Sequence, residues 1–165
     1  LHIVLIEPEI PGNTGNIARL CAAVGMELHL VKPLGFSTDD KYLKRAGLDY
    51  WHLVRVHYHE NFDEVLAMYH GHRFFYCSTK APRSYSEAVF GPDDMLVFGK
   101  ESAGIPESIL DEHWDSCIRI PMIAGARSLN LSNSVAIVAY EAMRQQNFVH
   151  LAEAGPGLRM WKNGK

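Results

Sequence analysis

Short apolar runs punctuate this chain at Ile3–Ile6, Leu28–Val31, Val54–Tyr58, Phe74–Cys77, Met95–Phe98 and Ile118–Ile120, and each reads as a strand. Between most of them the spacing turns helical. From Asn13 to Val24, residues Ile17, Leu20, Cys21 and Val24 fall at i, i+3, i+4 and i+7. Asp39 to Arg45 predicts a shorter charged helix, and Asn61 to Tyr69 places Phe62, Val65, Leu66 and Tyr69 on one stripe. A further helix is predicted over Pro106 to Asp111, with the proline at its first position. The last runs from about Leu131 to Gln146, where Leu131, Val135, Val138 and Ala142 form a stripe. Ile137, Ala139, Tyr140 and Met143 widen that stripe, as expected of a helix buried on several sides in the core or against a second subunit. Strands alternating with helices predict an α/β domain with a mostly parallel sheet and helices on both faces.

Three strand-to-loop junctions stand out against this pattern. The first, from Glu7 to Arg19, follows a strand and opens a helix, so its amide groups face outward at a helix N-terminus. Gly12 and Gly15 lack the middle glycine of a dinucleotide fingerprint. Asn13, Asn16 and Arg19 follow at spacings of three and predict a shared polar face, although Asn13 can serve simply as an N-cap. The second junction, Phe98 to Pro106, carries Gly99, Glu101 and Gly104, with Glu101 placed to orient a hydroxyl or an amine. The third carries Ser128, Leu129, Asn130, Leu131, Ser132, Asn133 and Ser134 into the last helix. Two such polar groups suffice to cap a first turn, and the surplus points to groups presented to a ligand.

Composition narrows the class. With 165 residues, 47% hydrophobic and 21% charged, the chain suits a single soluble domain. A net charge of -3 restricts any nucleic-acid contact to a local basic patch. Cys21, Cys77 and Cys117 are widely spaced and odd in number, which fits a reducing, cytoplasmic setting. The opening residues read as a strand rather than a signal peptide, and no run is long enough to span a bilayer. The expected organisation is one domain over residues 1–148 and a basic, flexible tail over 149–165. His57 with His59 and His70 with His72 are i, i+2 pairs, but no cysteine or carboxylate cluster completes a ligand set, so no metal is expected.

EPEIPGNTGNIARLC, KRAGLDY (Lys44 to Tyr50), FGKESAGIP and RIPMIAGARSLNLSNSVAIVAYEA, in this order, resemble the SPOUT superfamily of RNA methyltransferases. The likeness is closest to its YibK/TrmL branch, which methylates the ribose 2′-hydroxyl of the wobble nucleotide of tRNA, and it runs from the first strand to about Arg144. It implies a SPOUT α/β fold with a C-terminal trefoil knot, an arrangement otherwise nearly absent from proteins. It also implies a homodimer and S-adenosylmethionine as donor, with S-adenosylhomocysteine as product. By position, donor contacts fall at Cys77, Ser78, Thr79, Gly99, Glu101, Ile120, Met122, Ser128, Leu129 and Asn130, and catalysis at Arg19 with Asn13, Glu101, Ser128 and Asn130 around it. A guanidinium stays protonated, so the fitting work for Arg19 is to grip a phosphate and stabilise a developing alkoxide.

Candidate RNA phosphate contacts are Lys41, Lys44, Arg45, Lys80, Arg83, Arg127 and Arg144, each otherwise an exposed charge; Trp51 is a base-stacking candidate, with a core role the leading alternative for it and for Tyr50. Two other readings stand beside this one. A nicotinamide oxidoreductase needs an acidic residue after the second strand, where this chain has Lys32-Pro33-Leu34-Gly35. A non-catalytic RNA-binding relative would have no need of Arg19, Glu101, Ser128 and Asn130, all of which are present.

Overall fold

A computed structural model describes residues 1–37 and 52–155. The predicted helix at Asp39–Arg45, the basic candidates Lys41, Lys44 and Arg45, the pair Tyr50 and Trp51, and the tail beyond residue 155 lie outside them.

Among the described residues the strands are β1 (His2–Ile6), β2 (Glu27–Val31), β3 (Val56–His59), β4 (Phe74–Cys77), β5 (Arg83–Ser84), β6 (Met95–Phe98) and β7 (Cys117–Arg119). They form one sheet in the order β3-β2-β1-β6-β4-β7-β5, and every pairing is parallel. The helices are α1 (Pro11–Val24), α2 (Phe62–Met68), α3 (Glu107–Glu112) and α4 (Leu131–Gln145). The strand β5 had no counterpart in the apolar pattern: it is two half-buried polar residues at the sheet edge, paired with β7. The predicted strand start at Val54 shifts to Val56, while Val54 is buried in the preceding turn. Pro106 precedes α3 as its cap residue instead of opening it.

Both faces of the sheet are covered, which is why β1 and β6 are nearly unbroken apolar runs. On one face Ile3, Leu5, Leu28, Leu30, Leu96 and Phe98 pack with Ile17, Ala18 and Cys21 of α1 and with Val135, Val138, Ala139 and Ala142 of α4. On the other, Val4, Ile6, Val31 and Val97 pack with Phe62 and Val65 of α2 and Leu110 of α3. Each fully buried aliphatic side chain contributes roughly 1.5–3 kcal/mol relative to exposure. The wide apolar arc of α4 divides accordingly: Val135, Val138, Ala139, Ala142 and Met143 face the core, and Tyr140 is 48% exposed. At the start of the predicted tail, Leu151 still packs against this core. All three cysteines are free. Among the described residues no helix is long and apolar enough to cross a membrane.

Parallel strands present all their C-terminal ends on one rim. The loops leaving β1, β4, β6 and β7 therefore meet there, where open α/β sheets bind ligands.

Candidate active site

The first turn of α1 anchors this rim. Pro11 sits at its first position, where no N–H is required, and Ile10 at the cap offers no side-chain acceptor. The acceptor comes instead from the loop after β6. Glu101 Oε2 accepts from the Glu9 N–H at 2.8 Å, and Oε1 accepts from the Ile10 N–H at 3.3 Å and from Asn13 Nδ2 at 2.9 Å. A carboxylate at a helix N-terminus is also favoured by the helix dipole. Asn13 Oδ1 in turn accepts from Asn130 Nδ2 at 3.0 Å. Asn130 caps α4, its Oδ1 accepting from the Ser132 N–H at 2.9 Å and the Ser132 hydroxyl at 2.7 Å. One hydrogen-bonded row, Glu101–Asn13–Asn130, thus ties together three loops far apart in sequence. The loops after β1 and β6 are further joined by Lys100 Nζ on Glu7 at 2.8 Å, and by the Ser102 N–H and hydroxyl donating to Glu9 at 2.9 and 2.8 Å. Those hydrogen bonds draw the Glu9 carboxyl below its ordinary pKa, and Glu7 raises that of Lys100.

Beside this row lies a cavity of about 530 Å³, within the roughly 300–1,000 Å³ usual for small-molecule sites. Its wall contains Asn13, Cys77, Ser78, Thr79, Gly99, Glu101, Ile120, Met122, Ser128, Leu129 and Asn130. All ten predicted donor contacts therefore lie on one surface, along with four of the five predicted catalytic groups. Gly99 is there for want of space: a Cβ on it would sit 2.0 Å from the Gly104 carbonyl carbon and 2.1 Å from the Ile105 nitrogen. Burial pushes the Cys77 thiol well up from its usual pKa, so it stays protonated and poorly nucleophilic within the cavity.

Three expectations need correction. Asn13 is the third residue of α1 rather than its cap, and it is buried, whereas Asn16 and Arg19 are exposed; the three do not share a face. Successive steps of three fall short of a full turn by about 60° each, enough to carry Arg19 off the face of Asn13. Arg19 accordingly does not belong to the described wall of the cavity in its own chain. Glu101, expected to orient a hydroxyl or an amine of a ligand, has both oxygens engaged in holding the α1 entrance, which makes it a positioning residue.

The basic candidates also sort out. Lys80 pairs with Glu107, and Arg144 pairs with Glu141 at 2.8 Å. Arg127 is exposed on the cavity wall, and the Nε of half-buried Arg83 has no hydrogen-bond partner among the described residues. The clasps of Glu7 with Lys100 and of Glu9 with Ser102 were missed from sequence. Their one signal was a pair of acidic residues flanking Pro8 beside a glycine-bearing loop.

The chain matches the SpoU rRNA methylase family over residues 1–140. It is 52% identical over 147 residues to the tRNA (cytidine(34)-2′-O)-methyltransferase of Methylovorus glucosotrophus, covering 88% of this chain and 96% of that protein. A solved structure described as giving insights into the 2-OH methylation of C/U34 on tRNA superposes with a TM-score of 0.85 at 46% identity, covering 88% of this chain and 95% of that one. The SpoU methyltransferase AviRb from Streptomyces viridochromogenes, in complex with AdoMet, shares the fold with a TM-score of 0.80 at 23% identity, covering 89% of this chain and 58% of that one.

Proposed function

The chain belongs to the SpoU rRNA methylase family, and we propose that it transfers a methyl group from S-adenosylmethionine to the ribose 2′-hydroxyl of nucleotide 34 of tRNA, in the cytoplasm. The observation that carries this reading is the single cavity whose wall unites the loops after β4, β6 and β7 with the first turn of α1. That wall suits the donor. Ile120, Met122 and Leu129 offer apolar surface, while Ser78, Thr79 and the Gly99–Gly104 backbone offer polar groups for an adenosine and an amino acid.

The donor supplies a methyl group already activated by its positive sulfur, so the protein's task is positioning. The ribose 2′-oxygen attacks the methyl carbon, the carbon–sulfur bond breaks, and S-adenosylhomocysteine leaves. The hydroxyl proton passes to a substrate phosphate or to water. Arg19 holds the adjacent phosphate and stabilises charge developing on the oxygen. Glu101, Asn13 and Asn130 hold the two helix N-termini at the cavity's edge, and Ser128 lines the approach.

The same reading includes a C-terminal trefoil knot and a homodimer. The knot is consistent with the cavity wall, where the loop after β7 meets the loops after β4 and β6 before α4 packs against α1. The dimer is supported by the exposed Tyr140 on α4 and by the exposed Ile10 and Leu129 nearby in sequence to the two helix starts. Arg19 then acts in the cavity of the second copy, which reconciles its role with its absence from the wall of its own.

Incubating the protein with tRNA and donor labelled in the methyl group tests the proposal. Label on the ribose of nucleotide 34 is expected. Label on a base, or on another nucleotide, would overturn it, and RNA binding without any transfer would favour the non-catalytic relative.

A further inference from the structure

Away from the cavity, on β1, β2 and β3, parallel register brings imidazoles together. His2 on β1 lies across from Glu27 on β2, and His29 on β2 lies across from His57 on β3. His2 Nδ1 is 3.1 Å from His29 Nε2 and 4.0 Å from Glu27 Oε2, and the three ligand atoms all lie within 4.8 Å of one another. We propose that His2, His29 and Glu27 form a binding site for a divalent transition-metal ion of the zinc class, distinct from the methyl-donor cavity.

Four observations carry the assignment. The donor set is chemically apt, because imidazole nitrogen with a carboxylate oxygen is a usual zinc environment. Its spacing is near what is needed: a tetrahedral ion with bonds of about 2.0–2.1 Å separates its ligand atoms by roughly 3.3 Å. The two nitrogens already stand at that separation to within a few tenths of an ångström, and Glu27, itself only partly buried, has less than 1 Å to travel relative to His2. Outer partners are in place as well. Glu27 accepts from Arg55 at 3.1 Å and is bonded to His57 at 2.8 Å, and His29 Nδ1 meets His59 Nε2 at 3.0 Å. Such contacts fix the orientation of metal-binding side chains.

The fourth observation concerns protons. His59 Nδ1 is buried and has no hydrogen-bond partner among the described residues. If His29 Nε2 gives up its proton to bind a metal through its lone pair, His29 becomes protonated at Nδ1, and His59 moves its own proton from Nε2 to Nδ1. The row of rings absorbs the change by tautomer shifts with no net proton lost. The Tyr69 ring stands edge-on to His29 at 5.0 Å, and His72 packs edge-on to His2 at 5.4 Å, shielding the cluster. The bound ion would tie β1 to β2 at their first turns of chain, a structural staple rather than a reagent.

Titration of the purified chain with Zn²⁺, followed by calorimetry and thermal unfolding, tests this. Co²⁺ serves as an optical reporter of tetrahedral coordination. Expected are one ion per chain, a rise in Tm and visible Co²⁺ absorption, with affinity falling at least about tenfold in both His2→Gln and Glu27→Gln. His70→Gln, at an exposed ring outside the cluster, should bind as the wild type does. Circular dichroism establishes that each variant is folded, and Glu27→Gln, half-exposed at the strand start, covers the case in which His2→Gln is not. No saturable binding, equal affinity in either folded cluster variant, or loss in His70→Gln would overturn the site. None of these results bears on methyl transfer.

Discussion

Two polar clusters sit on the same parallel sheet, and they are built differently. At the C-terminal rim, Glu101, Asn13 and Asn130 spend their hydrogen bonds on backbone and on one another, leaving an open cavity beside them. The polar groups there serve mainly to hold loops at fixed separation around the space they enclose. Across β1, β2 and β3, His2, His29, His57 and His59 close on themselves and on Glu27, with the ring of Tyr69 over them. No void is needed there, because the proposed ion would sit between ligand atoms that already lie within 4.8 Å of one another. The contrast teaches that the first cluster should be read by what it frames, and the second by what it contains.

The sharpest break between the two clusters is Arg19→Ala. We expect turnover to fall by about 10²–10³-fold or more, with donor affinity nearly unchanged and Zn²⁺ affinity unaffected, as for loss of a group that stabilises transition-state charge. Steady-state methylation and donor titration would measure it, and a variant turning over normally would remove Arg19 from the mechanism. Next comes Gly99→Ala. Its new Cβ collides with backbone at Gly104 and Ile105, so a cost of about 3 kcal/mol and loss of donor binding are expected from unfolding curves and titration. Wild-type stability would show that the second loop is not tightly set.

Glu101→Gln should have a smaller effect, about 1–3 kcal/mol, by weakening charge-assisted hydrogen bonds at the α1 entrance. Its kcat should drop while the pH profile keeps its shape; loss of a titrating limb would instead make Glu101 a base. The smallest effect belongs to neither cluster and calibrates both. Hydrogen bonds from Arg144 and Gln145 hold the Glu141 carboxyl at about 2, below the ordinary 4.5. A depressed carboxylate contributes stability above pH 4.5 and loses it as pH falls towards 2. Arg144 is largely exposed, so Glu141→Gln should cost no more than about 1 kcal/mol at pH 7, and the gap between variant and wild type should close on acidification. A gap that widened at low pH would contradict the sign.

Much of the sheet was legible from composition along the chain. Strands buried on both faces must be nearly continuous apolar runs, so β1, β2, β4, β6 and β7 announced themselves within a residue or two. The loops that line the cavity were legible for a related reason: Gly99 and the Ser/Asn stretch before α4 are residue types that packing alone does not call for. The edge strand Arg83–Ser84 was not, because two polar residues carry no periodicity and gain strand geometry only from β7 alongside. Nor was the inward turn of Asn13, which depends on a carboxylate 88 residues away.

The histidines make the same division plainer. Each of His2, His29, His57 and His59 is an ordinary residue in its own segment, and the i, i+2 spacing of His57 and His59 gives no hint that both meet His29. By itself the sequence determined which segments are strands and helices and which loops carry more polar groups than capping needs, since burial and backbone geometry act locally on residue type. Only the tertiary structure decided which side chains meet, because strand register and the convergence of loops at one rim are set by packing among segments distant along the chain.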